Sequence, residues 1–167
     1  MKYASENSVD GVITLAAPAR FKFPENVLLP IFTPFFKEFE IKKNKKELAN
    51  QEKHDILCYD YYPIAPANSM RKMIFQVRQK LANITAPTLI VQGLDDAKWL
   101  VHSSKIIYRR ISSKDKELIS LENTSHCLTV CSDKDKLHDT IYNFIKTRAK
   151  CLFSFKKTLN PLSKTSY

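Results

Sequence analysis

The apolar run Thr88-Leu89-Ile90-Val91 has no polar alternation, the pattern of a strand covered on both faces, and Pro87 stands before it where a missing N–H is tolerated. Gly93 then permits a sharp turn into Leu94-Asp95-Asp96. Residues 116–121 (KELISL) read as a second strand, ending just before Asn123-Thr124-Ser125-His126, and residues 12–17, closed by Pro18, read as a third. Between them the period changes. Met70, Met73, Ile74, Val77 and Leu81 recur at helical spacing behind Ser69, an N-cap residue type, and read as a packing face. Ile106, Ile107 and Ile111 mark a second helix. Leu137, Ile141, Phe144 and Ile145 mark a last one, opened by the capping-box pattern Ser132-x-x-Asp135 and closed by Lys146, Arg148 and Lys150, which suit a helix C-terminus. Strands alternating with helices predict an α/β fold with a mostly parallel sheet. Asp96 and His126 then stand just past the carboxyl ends of strands, the edge where open α/β sheets build their sites.

Composition narrows the class. A chain of 167 residues with 44% hydrophobic residues is long enough for one domain with a real core. The net charge of +10 raises the question of a polyanion. The basic residues, however, fall in residues 42–53, residues 71–80 and the C-terminal tail, neither on one helix face nor interleaved with aromatics, which argues against nucleic acid as the main partner. Cys58, Cys127, Cys131 and Cys151 accompany an N-terminus without an apolar signal core, so reduced thiols and a cytoplasmic location are expected. Cys127 and Cys131 beside His126 supply too few ligands for a zinc site, and no metal or cofactor is expected. No run of about 18 apolar residues exists to span a membrane.

A carboxylate and an imidazole on neighbouring loops can pair: Asp96 accepts Nδ1–H from His126 and leaves Nε2 free as a base that activates a hydroxyl nucleophile. Spacing alone fits equally a turn aspartate that caps the next helix and a surface histidine. Asp95 is an alternative carboxylate. The longer pattern is more specific. Ile84-x-Ala86-Pro87-Thr88-Leu89-Ile90-Val91-Gln92-Gly93-x-x-Asp96, Ile106-Ile107-Tyr108, Lys116-Glu117-Leu118, and Ser125-His126-Cys127-Leu128-Thr129 with Asp133-Lys134-Asp135 closely resemble the carboxylesterase/monoacylglycerol lipase family of α/β-hydrolases, over roughly residues 9–146. The resemblance implies Asp96 and His126 as the second and third members of a Ser–Asp–His triad, although Thr124-Ser125-His126 stands where the family has Ser-Gly-His.

One departure is larger. The family carries its serine on a G-x-S-x-G elbow ahead of the acid and the histidine. This chain has two glycines, Gly11 and Gly93, and no such elbow. Residues 9–18 resemble the strand that follows the elbow helix, so the resemblance implies the C-terminal part of an α/β-hydrolase fold, without nucleophile or oxyanion hole. It further implies a core of residues 1–19 and 82–148 and an inserted helical cap over residues 20–81. In the cap, Leu28, Leu29, Ile31, Phe32, Phe35 and Phe36, punctuated by Pro24, Pro30 and Pro34, either line an acyl pocket or form the cap's own core. Residues 37–53 read as a solvated helical face, residues 58–67 as a turn-rich return to the core, and His54, His102 and His138 as surface or capping residues. Trp99 either walls the site or anchors the loop. Residues 149–167, with four lysines and no acid, predict a disordered tail with at most transient contact to anionic membrane through Phe153 and Phe155.

The implied activity is hydrolysis of carboxylic esters, short- or medium-chain acyl esters or monoacylglycerols, by a fragment that is inactive alone and pairs with a complementary N-terminal half. The alternatives are a non-catalytic binding module built on a hydrolase half, and a thioesterase or peptidase on the same scaffold.

Overall fold

The computed structural model describes residues 1–36, 40–43, 45, 48, 49 and 59–148. Its strands and helices run β1 (Val12–Leu15), α1 (Glu25–Phe32), β2 (Glu40–Lys42), β3 (Tyr61–Pro63), α2 (Ile64–Lys80), β4 (Thr88–Gly93), α3 (Lys98–Arg110), β5 (Lys116–Leu121) and α4 (Lys134–Arg148). The strands β1, β4 and β5 form one parallel sheet in that order. Val12 pairs with Thr88 and Leu15 with Val91; on the other edge of β4, Thr88 pairs with Lys116 and Gly93 with Leu121. β2 and β3 form a separate antiparallel ladder, Glu40 opposite Pro63 and Lys42 opposite Tyr61.

The lack of alternation in β4 follows from its place. It has a strand on each edge and helices on each face, and all six of its residues are buried. Ile90 joins Val12, Val77, Leu81, Ile84, Ile107 and Ile111 under α2 and α3. Leu89 and Val91 join Ala16, Leu121, Leu128, Leu137 and Phe144 under α4. Each of these side chains except Ala16 stabilises the fold by roughly 1.5–3 kcal/mol relative to an exposed one.

The helices depart from the pattern in instructive ways. α2 begins at Ile64, after Pro63 in extended backbone (φ −73°, ψ 129°), and Pro66 is accommodated in the first turn, where the N–H groups have no acceptor within the helix. Ser69 is therefore no cap; its hydroxyl donates to the Ala65 carbonyl at 3.1 Å. The residues expected as a turn-rich return are helical from Ile64 onward. The buried face of α2 runs through Ile64, Asn68, Ile74 and Val77 to Leu81. Met70 and Met73, one turn before Ile74 and Val77 on the same side of the helix, are nonetheless 39% and 51% exposed. At the start of α4 the Asp133 carbonyl accepts from Leu137 N–H at 3.0 Å, so Asp133 and not Ser132 holds the N-cap position. Residues 40–42, expected in a helix, are extended because Tyr61–Pro63 offers them a partner strand. The expectations at His54, Cys58, Cys151 and residues 149–167 lie outside the described residues.

In α1 only Leu29 is buried, while Val27, Leu28, Ile31, Phe32 and, just beyond, Phe35 and Phe36 are exposed. These residues do not form a closed cap core among the described residues. No helix among the described residues is long and apolar enough to cross a membrane.

Candidate active site

Two loops leave the carboxyl edge of the sheet side by side, one from β4 and one from β5, and backbone hydrogen bonds stitch them together. Leu94 N–H donates to the Leu121 carbonyl at 2.9 Å and Asp95 N–H to the Thr124 carbonyl at 3.0 Å. Gly93 makes that closeness possible. A Cβ there would stand 2.3 Å from the Thr124 carbonyl oxygen and 2.6 Å from that of Ser125, so the position tolerates no side chain. Its function is the close approach of two backbones; its φ is not positive. On the β5 side, Asn123 turns the chain with φ 50°, a conformation that asparagine visits more readily than most residues. Thr124 is buried, with its hydroxyl on the Glu122 carbonyl at 2.9 Å, and the buried Leu128 pins the far end of the loop.

Asp96 and His126 meet across this seam. His126 Nδ1 lies 3.0 Å from Asp96 Oδ2. An ionised carboxylate only accepts, so Nδ1 carries the proton and Nε2 keeps its lone pair in the neutral ring. The Asp96 side chain is 5% exposed and that of His126 60%. The carboxylate is thus walled in while the imidazole is largely exposed, and Nε2 has no partner among the described residues. Asp95, the alternative acid, is exposed and contributes its backbone N–H to the seam.

The carboxylate is held by two further donors. Gln92 Nε2–H donates to Asp96 Oδ2 at 2.9 Å and to the Gly93 carbonyl at 3.1 Å, and Ala97 N–H donates to Asp96 Oδ1 at 2.7 Å. Gln92 is 1% exposed, and its Oε1 has no hydrogen-bond partner among the described residues. The buried amide is therefore oriented by the carboxylate it serves. Sequence reasoning passed over Gln92; its signal was a glutamine ending an otherwise apolar, fully buried strand. The pKa of His126 is raised, first by the hydrogen bond to Asp96; partial burial opposes that rise and the Asp96 charge adds to it.

Other expected residues fall elsewhere. Trp99 packs against Phe21 with the rings tilted by 43° and their centroids 5.9 Å apart, and so ties the segment after β1 to α3. His102 and His138 are exposed on their helices. Cys131 Sγ–H donates to the Leu128 carbonyl at 2.9 Å inside the turn before α4. At the end of β1, Ala16 is buried with φ 47°, a costly conformation for alanine, held by its N–H on the Val91 carbonyl at 2.9 Å.

A parallel sheet, an Asp–His pair beyond its carboxyl edge and the order acid before histidine are features of one hydrolase superfamily. Residues 3–134 match the hydrolase family described as serine aminopeptidase, S33. The chain belongs to this family. It is 24% identical over 140 residues to a carboxylesterase of Bacillus subtilis (strain 168), a match covering 83% of this chain and 55% of the relative. Over 93 residues it is 28% identical to a thermostable monoacylglycerol lipase of Bacillus sp. (strain H-257), covering 56% of this chain and 37% of that enzyme. Among solved structures, the monoacylglycerol lipase of Paleococcus ferrophilus superposes with a TM-score of 0.69 at 16% identity, covering 89% of this chain and 63% of that one. A metagenome-derived lipolytic enzyme superposes with a TM-score of 0.70 at 23% identity, covering 87% and 59%. The fold of this S33-family chain is that of the α/β-hydrolases, and the chain spans little more than half the length of the carboxylesterase it matches.

Proposed function

We propose that this chain carries the acid and the base of a serine hydrolase acting on carboxylic esters, with Asp96 as the orienting acid and His126 as the general base. The observation that carries the reading is the 3.0 Å contact between the buried Asp96 carboxylate and Nδ1 of the largely exposed His126 ring, which leaves Nε2 without a partner among the described residues. In that role Nε2 takes the proton of a serine hydroxyl as it attacks the ester carbonyl, then returns it to the leaving alcohol. Asp96 fixes the tautomer and stabilises the imidazolium. Neither glycine of the chain sits in a G-x-S-x-G elbow, so we assign the serine and the oxyanion donors to sequence outside these 167 residues.

The substrates named for the relatives, carboxylic esters and monoacylglycerols, set the class we assign: acyl esters of short or medium chain. Residues 20–81 form the inserted cap in this reading. Its exposed apolar residues on and after α1 supply an acyl-facing surface, while the C-terminal half of α2 anchors it to the sheet. The Cys131 thiol fits a reducing compartment, and we place the protein in the cytoplasm.

The test is complementation. The 167-residue chain alone is expected to give no saturable hydrolysis of p-nitrophenyl butyrate. Co-expression with a segment carrying the family's elbow is expected to restore it, and His126→Ala in the restored enzyme to abolish it. Saturable turnover by the chain alone, or restored activity indifferent to His126→Ala, counts against the assignment. The family description also names an aminopeptidase; aminoacyl p-nitroanilides in the same assay separate peptide from ester hydrolysis.

A further inference from the structure

A cavity of about 330 Å³ opens between the segment after β1, α2 and α3, and no residue of the loops carrying Asp96 and His126 lines it. Its polar lining is cationic: Arg20, Arg71 and Arg78, with His102 and Asn26, and no carboxylate. The three guanidinium groups belong to half-buried residues. Arg71 Nε–H donates to Asn68 Oδ1 at 2.9 Å, which leaves its two terminal nitrogens available. The Arg20 and Arg78 side chains have no hydrogen-bond or ion-pair partner among the described residues. Glu25, the acid nearest in sequence to this lining, is engaged with Lys22 at 3.0 Å.

Three cations gathered in one concave site repel one another, and a solvated surface would let long side chains spread apart. The rest of the lining is apolar. Phe21, Phe23 and Phe75 contribute to it, and Phe23 and Phe75 are 72% and 60% exposed. Planar guanidinium forks match oxyanions bidentately, and aromatic rings cover an apolar body. The volume lies at the small end of ligand sites, enough for a ring or a short chain.

We propose that this cavity binds a small organic oxyanion, a phosphate or carboxylate head held by Arg20, Arg71 and Arg78 on an apolar body that lies against Phe21, Phe23 and Phe75. The site is separate from the Asp96–His126 pair and does not depend on the hydrolase reading. Trp99, the chain's single tryptophan, packs against the lining residue Phe21 and so reports occupancy by its fluorescence.

Isothermal titration of the full chain with phenyl phosphate, benzoate, inorganic phosphate and benzyl alcohol tests the proposal. Phenyl phosphate or benzoate is expected to bind saturably at one site, the tighter of the two identifying the head group. Inorganic phosphate and benzyl alcohol should bind at least about tenfold more weakly, since each lacks one half of the recognition. Arg78→Gln and Arg20→Gln should each weaken binding by about tenfold or more without changing the thermal midpoint. Phe75→Ala should weaken phenyl phosphate and not inorganic phosphate, and His126→Ala should leave binding unchanged. No saturable binding of either organic anion overturns the proposal. So does inorganic phosphate binding as tightly as phenyl phosphate, or an Arg78→Gln, Arg20→Gln double variant that binds like the parent.

Discussion

Asp96 Oδ2 receives both Gln92 Nε2–H at 2.9 Å and His126 Nδ1–H at 3.0 Å, so the charge of the acid is shared between a fixed buried amide and a titrating ring. The raised pKa of His126 has two consequences of opposite sense in pH. A raised histidine adds stability that is fully present below the ordinary value of about 6.5 and is lost as pH rises through the folded value. A neutral Nε2, which base catalysis requires, appears only above that folded value. An NMR titration should therefore give His126 a midpoint above 6.5, and Asp96→Asn should lower it. In the complemented enzyme, hydrolysis should rise with pH through the His126 midpoint, and Asp96→Asn should reduce turnover by on the order of 10³–10⁴-fold. Gln92→Met is expected to destabilise the fold by about 1–3 kcal/mol, because the two lost hydrogen bonds, to the Asp96 carboxylate and the Gly93 carbonyl, are only partly offset by removal of the buried Oε1, which has no partner among the described residues. It should move the His126 midpoint further up, since Asp96 then gives more of its charge to the imidazolium. A midpoint that Gln92→Met leaves unchanged would show that the amide does not tune the pair.

Between elements, the geometry of the pair rests on how close the loops after β4 and β5 can come. Gly93→Ala forces a methyl against two backbone carbonyls that have no flexible end to move aside. It should cost about 3 kcal/mol in chemical denaturation, the upper end of ordinary overpacking, and separate Asp96 from His126 in the same NMR titration. The loop that carries His126 is also held from below. Leu128 and Leu137 pack with Leu89, Val91 and Leu121, so α4 clamps the end of that loop onto the sheet. Leu137→Ala, at a position 1% exposed, should destabilise the fold by about 2–5 kcal/mol. The end of α4 is fastened by Arg148, whose Nε and one terminal nitrogen reach the two oxygens of Asp115 at 2.6 and 2.8 Å, and whose guanidinium stands 4.6 Å from the Phe144 ring centre. That bond to Arg148 first of all holds the Asp115 pKa below its ordinary value, partial desolvation opposing it.

At the scale of the molecule, β1 is hydrogen-bonded to β4 on one side and to no described strand on the other. A wide apolar surface lies open on the residues of the proposed cap, Phe35 being 80% exposed and Ile31 56%. An unpaired strand edge and an exposed apolar patch both drive association. The isolated chain should bind an apolar dye and self-associate with concentration in sedimentation velocity, and Ile31→Lys with Phe35→Lys should reduce both. Addition of the elbow-bearing segment should do the same by covering β1. A dye-silent, concentration-independent monomer would instead favour a self-sufficient module, the non-catalytic alternative.

The strands and the order acid before histidine were legible in the chain, because a strand buried on both faces leaves an uninterrupted apolar run and because turn residues stand at fixed offsets from it: Thr88 to Val91, then Gly93, then Asp96. Helix limits were less legible. Ser69 and Ser132 have the right chemistry for caps, yet where each helix starts depends on neighbouring backbone, on Pro63 in one case and the Asp133 carbonyl in the other. Residues 40–42 became a strand only because Tyr61–Pro63 lies beside them, a long-range partner that no local charge pattern reveals. The contact of Gln92 with the Asp96 carboxylate and the gathering of Arg20, Arg71 and Arg78 around one cavity were likewise decided by tertiary structure alone. Each depends on which side chains share a space after the chain has folded, and residues far apart in sequence carry no mark of that shared space.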